Sequence, residues 1–223
     1  MTITPKSAVI FDMDGTLIDS ETLTERAVHA LLTQHGIPNP TIDCTPFYGI
    51  TWRAIAAQVV QAHPEVASVC TAANLQALFH QIGLDTPPPA IPHAREAVVA
   101  ASALMPTAIG TSGNRESVEE LLTRMDLRDV LTDYVCAEDY QNSKPSPDCY
   151  LLAAERLGVE AGECLVFEDS IPGLMAAKNA GMQTIAITHR TTDLQQATEI
   201  ADGTIQDYTE LPPDFFRSIT KVR

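Results

Sequence analysis

Two carboxylates one residue apart, Asp12 and Asp14, leave an apolar run and enter a Gly-containing turn in Val9-Ile10-Phe11-Asp12-Met13-Asp14-Gly15-Thr16-Leu17. Val9, Ile10 and Phe11 suit a buried parallel strand, and side chains at i and i+2 point the same way while extended geometry lasts. Carboxylates that share one focus repel unless a cation lies between them or one takes up a proton. The pair therefore implies either a divalent metal or a split acid and base assignment. An ordinary Asp-Gly turn after a strand has the same spelling.

Three further segments carry complementary chemistry. Ala108-Ile109-Gly110 runs into Thr111-Ser112-Gly113-Asn114, a hydroxyl and flexible N–H groups ahead of a helical run from Ser117 to Met125, a place that suits an anion. Tyr134-Val135-Cys136 is followed by Ser143-Lys144-Pro145-Ser146-Pro147-Asp148, where Ser146 is expected to cap a helix with Pro147 at its first position. Leu165-Val166-Phe167 ends in a second acidic pair, Glu168-Asp169, before Ser170, Pro172-Gly173 and a helix through Ala180. Singly, these are a capping hydroxyl, a loop lysine and a surface acid pair. Together they are four strand-like runs, each ending in a different part of a phosphate and metal site, and strand ends of an open parallel sheet converge where ligands bind.

These residues resemble the haloacid dehalogenase superfamily, and within it the phosphoglycolate phosphatase and β-phosphoglucomutase-like group. The Asp-x-Asp-Gly-Thr motif is Asp12 to Thr16, the hydroxyl motif is Thr111, the lysine motif is Lys144 and the acidic motif is Glu168-Asp169, and the match runs from residue 8 to about 187. The resemblance implies that Asp12 is the nucleophile that forms an aspartyl phosphate, and that Asp14 protonates the leaving oxygen and then deprotonates the hydrolytic water. It implies Mg²⁺ on the Asp12 carboxylate, the Asp14 carbonyl and Asp169, with Glu168 nearby or bound through water. Thr111, Ser112, Gly113 and Lys144 would hold the phosphoryl oxygens. No organic cofactor is called for.

The stretch from 13 to 110 is far longer than one crossover helix needs. Ser20 is expected to cap a helix running to about His35, with Gly36 at its end. A second helix fits Trp52 to Ala62, and a third, opened by Thr71, carries Leu75, Leu78, Phe79 and Ile82 and ends near Gly83. Pro87-Pro88-Pro89 makes a stiff connector, and Pro92 with His93 opens the next helix. The expected architecture is α/β, a doubly wound parallel sheet with an inserted helical cap: core 1–16 and 93–223, cap 17–92 including linkers 17–20 and 86–92. In the family such a cap closes over the site.

The cap also separates relatives. The four lysines are Lys6, Lys144, Lys178 and Lys221, none in the cap, which excludes Schiff-base chemistry of the phosphonoacetaldehyde hydrolase kind. Asp14 argues against dehalogenases proper. Aligned at Gly49-Ile50-Thr51, Trp52 stands where the mutase has an arginine, with Arg53 one residue later, and Thr24 replaces a mutase histidine. Trp52 either lines the substrate cavity or anchors cap packing. Arg53 is the cap candidate for a second anionic group on the substrate, with a solvated helix arginine as the alternative. Arg115 and Glu116 read as helix-surface charges, with contact to the cap or substrate as the alternative, and His29, His35, His63 and His80 have no metal-ligand spacing.

Composition bounds the partners. The 223 residues carry a net charge of −15, which disfavours nucleic acid and anionic membranes. Cys44, Cys70, Cys136, Cys149 and Cys164 show no C-x-x-C spacing and read as reduced thiols in the core. With no signal-like or membrane-length apolar run, the expected location is cytoplasmic. A receiver module orders its acids differently and has no inserted cap. A catalytically retired binding protein would have lost the nucleophile or the lysine. The expectation is a Mg²⁺-dependent phosphatase acting on a small phosphate monoester, a sugar phosphate or phosphoglycolate-like compound, with a β-phosphoglucomutase-like mutase as the alternative. No obligate protein partner is evident, and a monomer is the default.

Overall fold

Ala8–Phe11 alternates its side chains between two cores, and that alternation organises the larger unit. The computed structural model describes residues 2–47, 52–191 and 193–221. In chain order the elements are β1 (Ala8–Phe11), α1 (Glu21–Gln34), α2 (Trp52–Ala62), α3 (Ala72–Asp85), α4 (Ala94–Ser102), β2 (Thr107–Gly110), α5 (Arg115–Arg124), β3 (Asp133–Val135), α6 (Asp148–Leu157), β4 (Cys164–Glu168), α7 (Ile171–Asn179), β5 (Gln183–Ile187), α8 (Leu194–Ile200), β6 (Gly203–Ile205) and α9 (Phe215–Ile219).

The six strands form one parallel sheet in the order β3-β2-β1-β4-β5-β6. Val9 and Phe11 face a core built with α4, α5 and α9, while Ala8 and Ile10 face one built with α6 and α7. This is the period-2 alternation of a strand buried on both faces. Phe11 stacks on Phe167 of β4 with ring centroids 4.9 Å apart. Strand order reverses direction at β1, so the crevice beyond the ends of β1, β2 and β4 is where such a sheet binds ligands.

The chain divides into two compact units, Met1–Ile18 with Ala90–Arg223, and Asp19–Pro89. The sheet unit therefore takes back residues that the sequence reading gives to the cap. Leu17, Ile18 and Ile91 are buried in its core, and the Ile91 N–H donates to the Leu17 carbonyl at 2.9 Å. The smaller unit holds α1, α2 and α3 around Val28, Leu31, Leu32, Ile55, Val59 and Leu75. Thr71 accepts from the Asn74 N–H and caps α3 as expected. Ser20 makes no side-chain cap, because its backbone is already helical. Gly83 does not end α3, which continues to Asp85. Trp52 packs edge-on against Phe79 inside this unit, centroids 5.2 Å apart, while Gly49-Ile50-Thr51 lie outside the described residues. No helix among the described residues is long and apolar enough to cross a membrane.

Candidate active site

Asp12 follows β1 directly, and its N–H extends the ladder to the Phe167 carbonyl at 2.9 Å. Its side chain, 7% exposed, is met by Lys144 from the loop before α6. The Lys144 ammonium donates to Asp12 Oδ1 at 2.6 Å, Glu168 Oε2 at 2.7 Å, the Tyr150 hydroxyl at 2.9 Å and the Gly110 carbonyl at 3.3 Å. Glu168 ends β4. Its Oε2 also accepts from the Tyr150 hydroxyl at 2.6 Å, and its Oε1 accepts from the N–H groups of Asp169 and Ser170 and from the Ser170 hydroxyl at 3.1, 3.1 and 2.9 Å.

Burial dominates the electrostatics. It pushes the Asp12 carboxyl up, the Glu168 charge pushes it further, and Lys144 only partly offsets them, so Asp12 stands well above its ordinary range. Burial also pushes Glu168 up, but Lys144 and the hydrogen bonds from Lys144, Tyr150 and Ser170 outweigh it and hold this carboxyl below its usual value. For Lys144, burial lowers the pKa, and the charges of Asp12 and Glu168 overcome it and keep the ammonium protonated. Two acids facing one lysine leave a surplus negative charge in a dry volume, which a divalent cation would neutralise.

The donor set fits such a cation. Asp12, Glu168 and Asp169 offer carboxylate oxygens that lie within 4.8 Å of one another, the hard oxygen ligands that Mg²⁺ takes. Asp169 is held by the Thr16 hydroxyl, which donates to Oδ1 at 3.0 Å. It also lies over Gly15: a Cβ there would stand 2.1 Å from Asp169 Oδ2, and the backbone has φ +76°. Gly173 has the same relation to Glu168, since a Cβ would stand 1.6 Å from Oε2. Glycine at these positions makes room for the acids.

Thr111, after β2, is buried, and its Oγ1 accepts from the Gly113 N–H at 2.9 Å. A Cβ on Gly113 would lie 3.3 Å from Thr111 Oγ1 and 3.5 Å from Asp14 Oδ2, so Thr111, Gly113 and Asp14 share one corner. Ser112 is exposed beside them, with its Oγ 3.3 Å from the Tyr140 hydroxyl. At the start of α5, one residue past the Thr111–Asn114 stretch read from sequence as suited to an anion, the Arg115 N–H donates to both Glu138 carboxylate oxygens at 3.0 and 3.1 Å. Ser146 does not cap α6 either; Pro147 takes that position and the Ser146 hydroxyl donates to the Asp148 carboxylate at 2.6 Å. Arg115 is engaged with Asp139 at 2.6 Å and with the Tyr134 hydroxyl at 3.2 Å. Arg53 is exposed on α2 of the smaller unit.

The structure thus joins Asp12, Lys144, Glu168 and Asp169 in one cluster, with Asp14, Thr111, Ser112 and Gly113 in the adjoining loops. Sequence reasoning missed Tyr150, which looks like one more core aromatic on α6, and the part of Thr16 in holding Asp169. Six residues after Lys144, Tyr150 falls within the first turn of the helix that follows the lysine loop, which is the one signal that pointed to it.

The model of the haloacid dehalogenase-like hydrolases matches residues 6–181. A fructose-1-phosphate phosphatase of Escherichia coli is 30% identical over 81% of this chain and 96% of its own. A validoxylamine A 7'-phosphate phosphatase of Streptomyces hygroscopicus is 30% identical over 91% of this chain and 94% of its own. Among solved structures, a hydrolase of the same family from Deinococcus radiodurans, with bound phosphate and sodium, superposes with a TM-score of 0.74 at 25% identity over 91% of both chains. A β-phosphoglucomutase from Clostridium difficile matches in fold, with a TM-score of 0.70 at 18% identity over 96% of both chains. From its strand-end acids and lysine to its relatives, the chain belongs to the haloacid dehalogenase-like hydrolases.

Proposed function

We propose that this hydrolase is a Mg²⁺-dependent phosphatase that cleaves a small-molecule phosphate monoester, a sugar phosphate or phosphoglycolate-like compound, through an aspartyl phosphate on Asp12. The observation that carries the reading is Asp12 at the end of β1, with Lys144 on its Oδ1 at 2.6 Å and Asp169 beside it. Relatives named as phosphatases of phosphorylated sugars, including a hexitol phosphatase of Escherichia coli 30% identical over 92% of this chain, support the substrate class.

In this reading Asp12 attacks phosphorus and the ester oxygen leaves with a proton from Asp14, which then takes a proton from the water that hydrolyses the acyl phosphate. Lys144, Thr111, Ser112 and the N–H groups around Gly113 hold the phosphoryl oxygens as charge develops on them. Asp12, Asp169 and the Asp14 carbonyl would hold Mg²⁺. Glu168, its oxygens already taking five donors, would serve the ion from nearby or through water. When bound, Mg²⁺ screens the phosphoryl charge from the attacking carboxylate. The five free cysteines, all buried, are consistent with a reducing, cytoplasmic location.

The test is turnover of a panel of monoesters, covering hexose phosphates, deoxysugar phosphates, phosphoglycolate and nucleotides, with Mg²⁺. Wild type is expected to release phosphate from at least one of them, and Asp12→Asn to fold and release none. More than a few per cent of the wild-type rate in Asp12→Asn on a working substrate would defeat the mechanism.

A further inference from the structure

Tyr150 is fully buried, and among the described residues its hydroxyl is the one polar group that hydrogen-bonds both the lysine and the acid behind it: it accepts from Lys144 at 2.9 Å and donates to Glu168 at 2.6 Å. Its ring lies against Gly110 at the end of β2, where a Cβ would stand 3.2 Å from Tyr150 Cε1. The absence of a side chain at Gly110 therefore lets the phenol reach the site. The Lys144 nitrogen also sits 4.7 Å from the ring centroid.

An ammonium has three hydrogens to donate. The three short bonds of Lys144 go to Asp12, Glu168 and Tyr150, and the Gly110 carbonyl at 3.3 Å is a surplus contact. Two of the three acceptors belong to one rigid pair, since Tyr150 and Glu168 are bonded to each other. We propose that Tyr150 is a positioning residue: with Glu168 it anchors two Lys144 hydrogens, so that the third is directed at Asp12 Oδ1 and at the phosphoryl oxygen that arrives there. Lys144 then meets the developing charge without a rotamer search, and only one bond, the one to Asp12, has to be exchanged as Asp12 attacks. The proposal rests on the phosphatase reading for its chemistry and on the geometry for its placement of Lys144.

Tyr150→Phe isolates the hydroxyl, because the ring, its packing and its contact with the ammonium are kept. With p-nitrophenyl phosphate and Mg²⁺, the variant is expected to lose about tenfold in kcat/KM, with kcat falling and KM rising, because Lys144 meets the phosphoryl group both when it is bound and in the transition state. In a Lys144→Ala background the same substitution is expected to change nothing further, because its effect passes through the lysine. Orthophosphate affinity, measured by calorimetry on the four proteins with Mg²⁺, supplies a second cycle independent of turnover: both single variants bind more weakly and the double variant matches Lys144→Ala. Losses that add in both cycles would overturn the positioning role and leave the phosphatase reading intact. A wild type that cleaves no monoester but shows the non-additive binding pattern would remove the phosphatase reading and keep the role of Tyr150.

Discussion

Lys144, Asp12 and Glu168 are almost closed to water, each side chain at most 7% exposed, so their charges act on one another with little screening. Removing the cation from such a group leaves two buried acids facing each other, which is why Lys144→Ala is expected to cost about 10²–10³ in kcat, the scale of one lost transition-state donor. An unchanged rate would return Lys144 to a purely structural place. Asp169→Ala is expected to raise the Mg²⁺ concentration needed for half-maximal activity sharply, and full activity after chelation and dialysis would eliminate the metal reading. Asp12, Glu168 and Asp169 were legible because they follow apolar runs at points where a parallel sheet gathers its ends, and Lys144 because it stands in a Ser-Lys-Pro-Ser-Pro segment just ahead of a helix. Tyr150 was not, because an aromatic residue inside a helix is spelled the same whether its hydroxyl serves a lysine or merely finds a partner. The Arg115 N–H at the start of α5 pairs with Glu138, a contact over 23 residues that no local pattern announces.

Elements hold these residues through close approaches and caps. Gly173 in the first turn of α7 lies against the Glu168 carboxylate; Gly173→Ala is expected to destabilise by about 1–3 kcal/mol, as overpacking does, and to cut activity by displacing Glu168. Denaturant unfolding and turnover measured together check both. Between β3 and α6, Asp139 accepts from the Cys136 N–H at 3.1 Å and pairs with Arg115 and Arg156. Burial raises its pKa, but the Cys136 N–H and thiol and the two arginines outweigh that and hold the carboxyl well below its usual range. A depressed folded-state pKa contributes stability that is complete above the unfolded value of about 3.9 and is lost as pH falls below it. Asp139→Asn is therefore expected to lower stability at pH 7 and to flatten the acid side of the stability profile below about pH 4. An unaltered profile would mean that the ion pairs contribute nothing there. Elements were largely readable from periodicity, and the ends of α2, Trp52–Ala62, fell as expected, whereas α3 runs through Gly83 because two more residues keep their helical bonds, the Thr86 N–H still reaching the Ile82 carbonyl at 2.8 Å.

At the scale of the whole molecule, the chain carries a net charge of −15, and the only Lys or Arg residues in the sequence of its smaller unit are Arg26 and Arg53, of which Arg26 already donates to the Thr86 carbonyl at 3.2 Å. A mutase must retain a bisphosphate while it turns over, which calls for strong contacts to the distal phosphate. Net hydrolysis is the expected outcome, with no interconversion of hexose 1- and 6-phosphates even with a bisphosphate primer. Primer-dependent isomerisation faster than phosphate release would promote the mutase. Arg53→Ala is expected to lower kcat/KM mainly for doubly anionic substrates, and an equal effect on all monoesters would assign it to packing. The central claim is the covalent intermediate on Asp12, and rapid-quench analysis of Asp14→Asn with p-nitrophenyl phosphate and Mg²⁺ tests it most directly. The good leaving group needs little protonation, while loss of the base slows hydrolysis of the acyl phosphate, so a burst of nitrophenolate approaching one per protein is expected, with borohydride converting Asp12 to homoserine. Phosphoryl on another side chain, or steady release with neither burst nor modification at Asp12, would contradict the account.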